Sequence, residues 1–134
     1  MEKIDKEYIK HYYESGEIHE ETPYVDGKQH GVQRKYYDNG KLFCEIQWLN
    51  GYMQGDFIVF YESGVLMREL TYMDGKMHGV EKEYDDSGKL EAETPWVNGI
   101  KHGVGKEYYD DGEFMCETFY ENDEIVNHRP KSAS

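Results

Sequence analysis

One glycine recurs at Gly16, Gly40, Gly64, Gly88 and Gly112, every 24 residues without slippage. A second follows at Gly27, Gly51, Gly75 and Gly99, with Asp123 in the fifth place, and a third at Gly31, Gly55, Gly79 and Gly103. Between them recur an aromatic (Tyr12, Tyr36, Phe60, Tyr84, Tyr108), an apolar residue (Ile18, Leu42, Leu66, Leu90, Phe114), a glutamate (Glu21, Glu45, Glu69, Glu93, Glu117) and a further aromatic (Tyr24, Trp48, Tyr72, Trp96, Tyr120). A fixed period of this length means that the chain is a tandem array of one small unit, which decides the fold before any local propensity is weighed.

The glycines end turn signals. The first set reads Ser15-Gly16, Asn39-Gly40, Ser63-Gly64, Ser87-Gly88 and Asp111-Gly112; the second reads Asp26-Gly27, Asn50-Gly51, Asp74-Gly75 and Asn98-Gly99. Asn-Gly and Asp-Gly suit tight hairpins because such turns need positive φ. Turns alternate at spacings of 11 and 13 residues, leaving room for strands and none for a helix. The expected fold is all-β: an elongated single-layer antiparallel meander of about ten strands built from 24-residue hairpins. With 134 residues this is one domain. Residues 1–126 form five repeats in one solenoid domain and 127–134 read as a flexible C-terminal tail.

Taking Asn39 and Gly40 as a two-residue loop predicts the register. Facing residues then pair Arg34 with Glu45, Tyr36 with Phe43, Tyr37 with Leu42 and Gly31 with Trp48. The other copies set Lys10 against Glu21, Lys82 against Glu93, Lys106 against Glu117, and Tyr72, Trp96 and Tyr120 against Gly55, Gly79 and Gly103. Opposite charges and rings over bare glycines are favourable cross-strand arrangements. On this reading the third glycine makes room for a ring.

A tandem of such phrases, most clearly GKMHGVEKEYDDSGKL at 75 to 90, resembles the MORN repeat and more closely its variant in bacterial YwqK-type antitoxins. The resemblance spans about residues 8 to 122. It implies a binding or scaffolding module, with a toxin as partner if the antitoxin likeness extends to function. The copy at 48 to 61 departs from the pattern, with Gln54 in the histidine position and Asp56-Phe57-Ile58-Val59 in the usual polar stretch. The fifth ends at Asn122-Asp123, as a terminal cap would.

Three chemical sites can be weighed. Cys44 and Cys116 hold the same repeat position three copies apart, which sets them roughly 29 Å from each other at ~4.8 Å per strand, too far for an intrachain disulfide. His30, His78 and His102 recur about 10 Å apart, too far to share a zinc ion, and read as structural residues beside turns. The glutamate column mostly faces Lys or Arg and reads as a solvated charge ladder. There is no nucleophile elbow, phosphate loop or metal motif, and the glycines belong to turns. The expectation is a non-catalytic chain with no cofactor and no metal.

The remaining signal is surface. Alternation places Leu42, Cys44, Ile46, Trp48, Met53, Phe57, Val59, Tyr61, Leu66, Leu70 and Tyr72 on one face, a denser apolar cluster than in flanking copies. It is either the chain's own core, covered by sheet curvature or by Met1 to Lys10, or a partner surface. The net charge of −13 argues against nucleic acid and anionic membrane and for a basic protein partner. The expected anchors are Trp48, Phe57, Tyr61, Tyr72 and Trp96, since large rings dominate interfaces. The alternative is a self-associating scaffold forming homo-oligomers. Without an apolar run near 18 residues or a signal-like leader, the expected location is the cytoplasm.

Overall fold

Two kinds of tight turn alternate along the chain. At Asp26-Gly27, Asn50-Gly51, Asp74-Gly75 and Asn98-Gly99 both central residues have positive φ, 48 to 51° for the first residue and 79 to 89° for the second. These are two-residue type I′ turns, whose twist matches the strands they join. Asn122 and Asp123, at 51° and 71°, make the same turn without a glycine. The other set differs. The Tyr37 N–H bonds to the Lys41 carbonyl at 2.8 Å and the Gly40 N–H to the Tyr37 carbonyl at 3.0 Å, and of the three loop residues only Gly40 has positive φ. This is a three-residue loop, a type I turn closed by a left-handed glycine, where the sequence suggested two residues.

The computed structural model describes residues 5–131. Its strands are β1 (Lys6–Tyr12), β2 (Ile18–Val25), β3 (Lys28–Gln29), β4 (Gly31–Tyr36), β5 (Leu42–Leu49), β6 (Tyr52–Phe60), β7 (Leu66–Met73), β8 (Lys76–Met77), β9 (Gly79–Tyr84), β10 (Leu90–Val97), β11 (Ile100–Lys101), β12 (Gly103–Tyr108), β13 (Phe114–Glu121) and β14 (Glu124–Pro130). They form one 14-stranded antiparallel sheet in sequence order, with β3, β8 and β11 as short side branches paired to β2, β7 and β10. The sheet is open and does not coil into the expected solenoid. Nor is Asn127 the start of a tail, because β14 pairs with β13 as far as Cys116 opposite Pro130. Met1–Ile4 lie outside the described residues, and from Lys6 onward the N-terminal segment extends the sheet as an exposed edge strand rather than covering a face.

The longer loop changes the register beside it. Tyr36 pairs with Leu42, Phe43 is left over as a bulge, and Lys35 with Cys44 restores the predicted frame. The predicted pairs Tyr36–Phe43 and Tyr37–Leu42 therefore do not form. Because of the bulge, Leu42 and its counterpart Leu66 pair with Tyr36 and Phe60, so strict alternation, which put both leucines with Cys44, stops there. Further along, Arg34–Glu45, Gly31–Trp48, Lys10–Glu21, Lys82–Glu93, Lys106–Glu117, Gly55–Tyr72, Trp96–Gly79 and Gly103–Tyr120 all pair as expected.

A second irregularity follows each type I′ turn. From Tyr24 to Glu21 β2 advances three residues while its partner advances five, from Gln29 to Arg34. The excess falls on His30 and Gly31, and Gly31 takes φ 112°. This corrects the role of the third glycine. A Cβ at Gly31 or Gly103 would meet Pro23 or Pro95, one at Gly55 would run into the Gln47 side chain, and one at Gly79 would meet nothing within 4 Å, so in no case is the facing ring the nearest obstacle. Positive φ in the bulge is the requirement.

Directly paired residues point to the same side, which sorts the burial. Cys44, Val59 and Cys116 lie along one line of pairs and Thr22, Gln33, Ile46, Leu70 and Glu81 along the next, all on one side and all at 3 to 7% exposure. Such burial without a second layer among the described residues means that the sheet bends toward this inner side, and the recurrent bulges supply the bend. Cys44, Ile46 and Val59 form the centre, with Trp48, Met53, Phe57 and Met67 packed against it. The outer side carries the glutamate column. There the Tyr36, Tyr84 and Tyr108 hydroxyls donate to Glu21, Glu69 and Glu93 at 3.1, 2.8 and 2.7 Å, while Arg34 Nε lies 3.7 Å from Glu45.

Candidate functional site

The inner side carries a stripe of rings. Tyr24, Trp48, Tyr72, Trp96 and Tyr120 each stand next to last in a long strand, and the residue paired with each across its type I′ turn is Gln29, Met53, Met77, Lys101 and Ile125. Ring and filler therefore alternate along the sheet, and every member through Tyr120 is half-buried. Methionine suits the filler role because its thioether packs against ring edges. Lys101 takes the same slot with a cation, its Nζ 5.6 Å from the Trp96 ring centre and 5.3 Å from that of Tyr120.

Hydrogen bonds fix the two indoles. Trp48 Nε1 donates to Gln33 Oε1 at 2.8 Å, and Gln33 in turn donates to Glu20 and to Thr22 Oγ1. Trp96 Nε1 donates to Glu81 Oε1 at 3.1 Å, and the other oxygen of Glu81 accepts from Arg68 Nε. Gln33 and Glu81 are repeat counterparts, so one acceptor position holds both indoles. Phe57 occupies it in the repeat between, its ring 6.1 Å from Tyr72.

The inner side thus has two regions. Its middle, around Ile46, Trp48, Met53, Phe57 and Leu70, is apolar. Toward the C-terminal end lies a cleft of about 410 Å³ bounded by Trp96, Lys101 and Tyr120, with Arg68, Glu81, Glu83, Glu107 and the small residues Ala92, Thr94, Gly105 and Thr118. Burial raises the Glu83 carboxyl above its ordinary value, and the charge of Glu81 raises it further. Both thiols are free and buried. Burial pushes Cys44 and Cys116 up, and for Cys116 a bond to Glu107 at 3.5 Å adds to the effect. Raised thiols are poor nucleophiles.

Of the five expected anchors, Trp48, Phe57, Tyr72 and Trp96 are brought together on or beside the stripe. Tyr61 is not. It lies four residues beyond Phe57 along the strand direction, roughly 13 Å away at ~3.3 Å per residue, and its hydroxyl donates to the Tyr84 carbonyl at 2.7 Å. Tyr13 and Tyr37 bond the Tyr36 and Phe60 carbonyls at 2.6 Å in the same way, which makes this tyrosine a link between repeats. The histidines are links too. Nδ1 of His30 and His78 accepts the backbone N–H of Asn50 and Asn98 at 3.3 and 3.4 Å, and Gln54 does the same for Asp74 at 2.8 Å. Sequence reasoning missed the fillers and the acceptors beneath the indoles. The fillers were within reach, since a two-residue Asn50-Gly51 turn sets Trp48 opposite Met53.

An open sheet of tandem hairpins, irregular at the same two places in every copy, defines a β-hairpin repeat protein. The family model of the MORN repeat variant matches residues 9–26, 29–50, 53–74, 77–98 and 101–122, and the chain belongs to that family. MORN repeats commonly serve as protein or membrane interaction modules, and the family is generally non-enzymatic. No curated protein matches the chain. Among solved structures, that of a point mutant of S. aureus TarM in complex with Fondaparinux, alpha-GlcNAc-glycerol and UDP aligns at 10% identity and a TM-score of 0.46, over 88% of this chain and 20% of that one. The chain spans about a fifth of that protein's length, and a likeness at this level carries no argument. Among the described residues no helix is long and apolar enough to cross a membrane.

Proposed function

We propose that the chain is a non-catalytic binding protein that holds a basic protein partner on its inner side, as an immunity-like or antitoxin protein holds a toxin. The observation that carries this reading is the half-buried stripe of rings, which lines the inner side of a one-layer sheet over the buried apolar centre. Trp48, Phe57, Tyr72 and Trp96 are the anchors, and the acidic balance of −13 speeds encounter with a basic partner and makes it salt-sensitive. On this reading the chain acts in the cytoplasm, where its thiols stay reduced.

The test is capture from lysate of the source cell by the immobilised chain, with low-salt and then high-salt washes. A Phe57→Gln variant serves as control, because Gln33 already occupies that repeat position in a folded copy. A stoichiometric basic protein that salt releases and F57Q fails to hold is the expected result. A bait that stays clean at low salt, or capture by F57Q equal to wild type, overturns the reading.

A second reading rests on the edges. Along β1, Tyr8 and Tyr12 are 67% and 58% exposed, and along β14 Ile125 and Val126 are 64% and 57% exposed. Open apolar edges pair with other strands, so a scaffold of copies joined edge to edge is the alternative. Light scattering across a dilution series separates it from a monomeric binder.

A further inference from the structure

The C-terminal cleft exists because one repeat position loses its side chain. The acceptor position holds Gln33, Phe57 and Glu81 in successive copies and then Gly105. Gly105 lacks the positive φ of the other glycines, so its backbone does not demand glycine; a Cβ there would stand 3.0 Å from Tyr120 Cε2 and 3.4 Å from the Glu93 carbonyl oxygen. The glycine therefore serves space rather than turn geometry. With Ala92, Thr94 and Thr118 around it, the floor between Trp96 and Tyr120 stays low and the two rings become walls.

What stands between the walls is a cation. Lys101 Nζ is within cation–π reach of both rings, in the slot that Met53 and Met77 fill without charge. Glu81, Glu83, Glu93 and Glu107 bring four carboxylates to the cleft against Arg68, Lys101 and Lys106; Arg68 is already bonded to Glu81, and Lys106 stands opposite Glu93 across the strands. Lys101 rides on a flexible stem and can turn to water. When it does, two carboxylates and two ring faces remain without a cationic partner.

We propose that this cleft is the recognition pocket for one cationic side chain, arginine or lysine, of the protein partner, and that Lys101 is an internal place-holder which that side chain displaces. The proposal rests on the binding-protein reading above and adds to it the chemistry that is read. Rings attract a cation electrostatically, and a guanidinium adds a planar fork that matches a carboxylate in bidentate fashion. The displaced ammonium passes to solvent. The exchange therefore selects a cation over a neutral group of the same shape.

The test is a titration of the ¹⁵N-labelled full chain with the N-acetyl N-methylamides of arginine, lysine and citrulline, the last being a neutral match for arginine. The Trp96 indole N–H and the Gly103 and Gly105 amides report the cleft, and the Trp48 indole is the internal control. Arginine and lysine are expected to shift the Trp96 set and leave Trp48 in place, while citrulline shifts neither. Lys101→Met, which copies the residue of two other repeats, should tighten arginine binding roughly 3-fold, the value of one cation–π competitor. Glu83→Gln with Glu107→Gln should weaken it roughly 10-fold through loss of charge-assisted bonds. The proposal fails if citrulline matches arginine, if both indoles shift alike, if K101M binds no tighter, or if nothing shifts. Cation binding with no captured partner would sink the functional reading alone, and a captured partner indifferent to K101M and to the double variant would sink the pocket alone.

Discussion

Removing the Glu81 carboxylate tests whether the acceptor beneath Trp96 holds the stripe. In Glu81→Ala the indole N–H loses its acceptor, worth ~1 kcal/mol, and Arg68 loses a charge-assisted bond worth roughly 1.5 to 3 kcal/mol. Arg68 is 39% exposed in its side chain and can turn to water, so about half of that second figure survives. The expected cost is about 2 to 2.5 kcal/mol. Glu81→Gln keeps an acceptor in place, as Gln33 does for Trp48, and loses only the charge, for about 1 kcal/mol. Urea unfolding followed by circular dichroism gives both values. Trp96 emission in a Trp48→Tyr background, a ring that Tyr24, Tyr72 and Tyr120 already carry, reports the local change. The alanine variant should shift to the red before global unfolding and the glutamine variant should not. Equal costs, or a cost below about 0.5 kcal/mol for alanine, would refute the account and leave the ring packed by its neighbours alone.

Three further outcomes follow from the geometry. Tyr84 is pushed up to about 12 by burial, by its bond to Glu69 and by that group's charge; its contribution to stability is complete below the ordinary phenol value and is lost as pH rises through about 12, so absorbance titration should show it ionising last and Tyr84→Phe should flatten alkaline unfolding. Glu83, also raised by burial, favours the fold at low pH and loses that advantage as pH climbs past its folded value, so Glu83→Gln should be the more stable protein at neutral pH and the less pH-dependent one by thermal melts. Gly103→Ala combines positive φ with a Cβ 3.2 Å from Pro95 Cγ, whereas Gly79→Ala meets open space; both should lose ~1 to 2 kcal/mol from backbone strain, and G103A should lose more.

The period carried most of the architecture, because each column is a physical requirement repeated four or five times and turns alternating at 11 and 13 residues leave no room for a helix. What it could not separate was turns that share a dipeptide. Asn39-Gly40 and Asn50-Gly51 look alike, yet the first sits in a three-residue loop in which Asn39 keeps negative φ, and the second in a two-residue loop in which Asn50 does not. A one-residue bulge at Phe43 then cancels the difference, which is why most predicted pairs survive the wrong loop length. The third glycine was misread for a related reason: pairing tells which residue faces which, but not whether a missing Cβ would have pointed to that side. On the inner side, Trp48, Phe57, Tyr72 and Trp96 were legible as large rings in one column and its neighbour. Tyr61 was not distinguishable from them by alternation, since its role depends on a backbone carbonyl 23 residues ahead. Gly105 was hidden because it breaks no repeat column that a glycine count would notice.

The hairpin unit also works as a ruler. Each copy moves the next ring by two strands, about 9.6 Å, and turns it by the sheet twist, roughly 40 to 50°. Inserting or deleting one whole copy between two rings of the stripe would change the distance and angle between them by that fixed step. Distance between two recognition points and the chemistry of each point are thereby separate heritable quantities, the first set by copy number and the second by single residues.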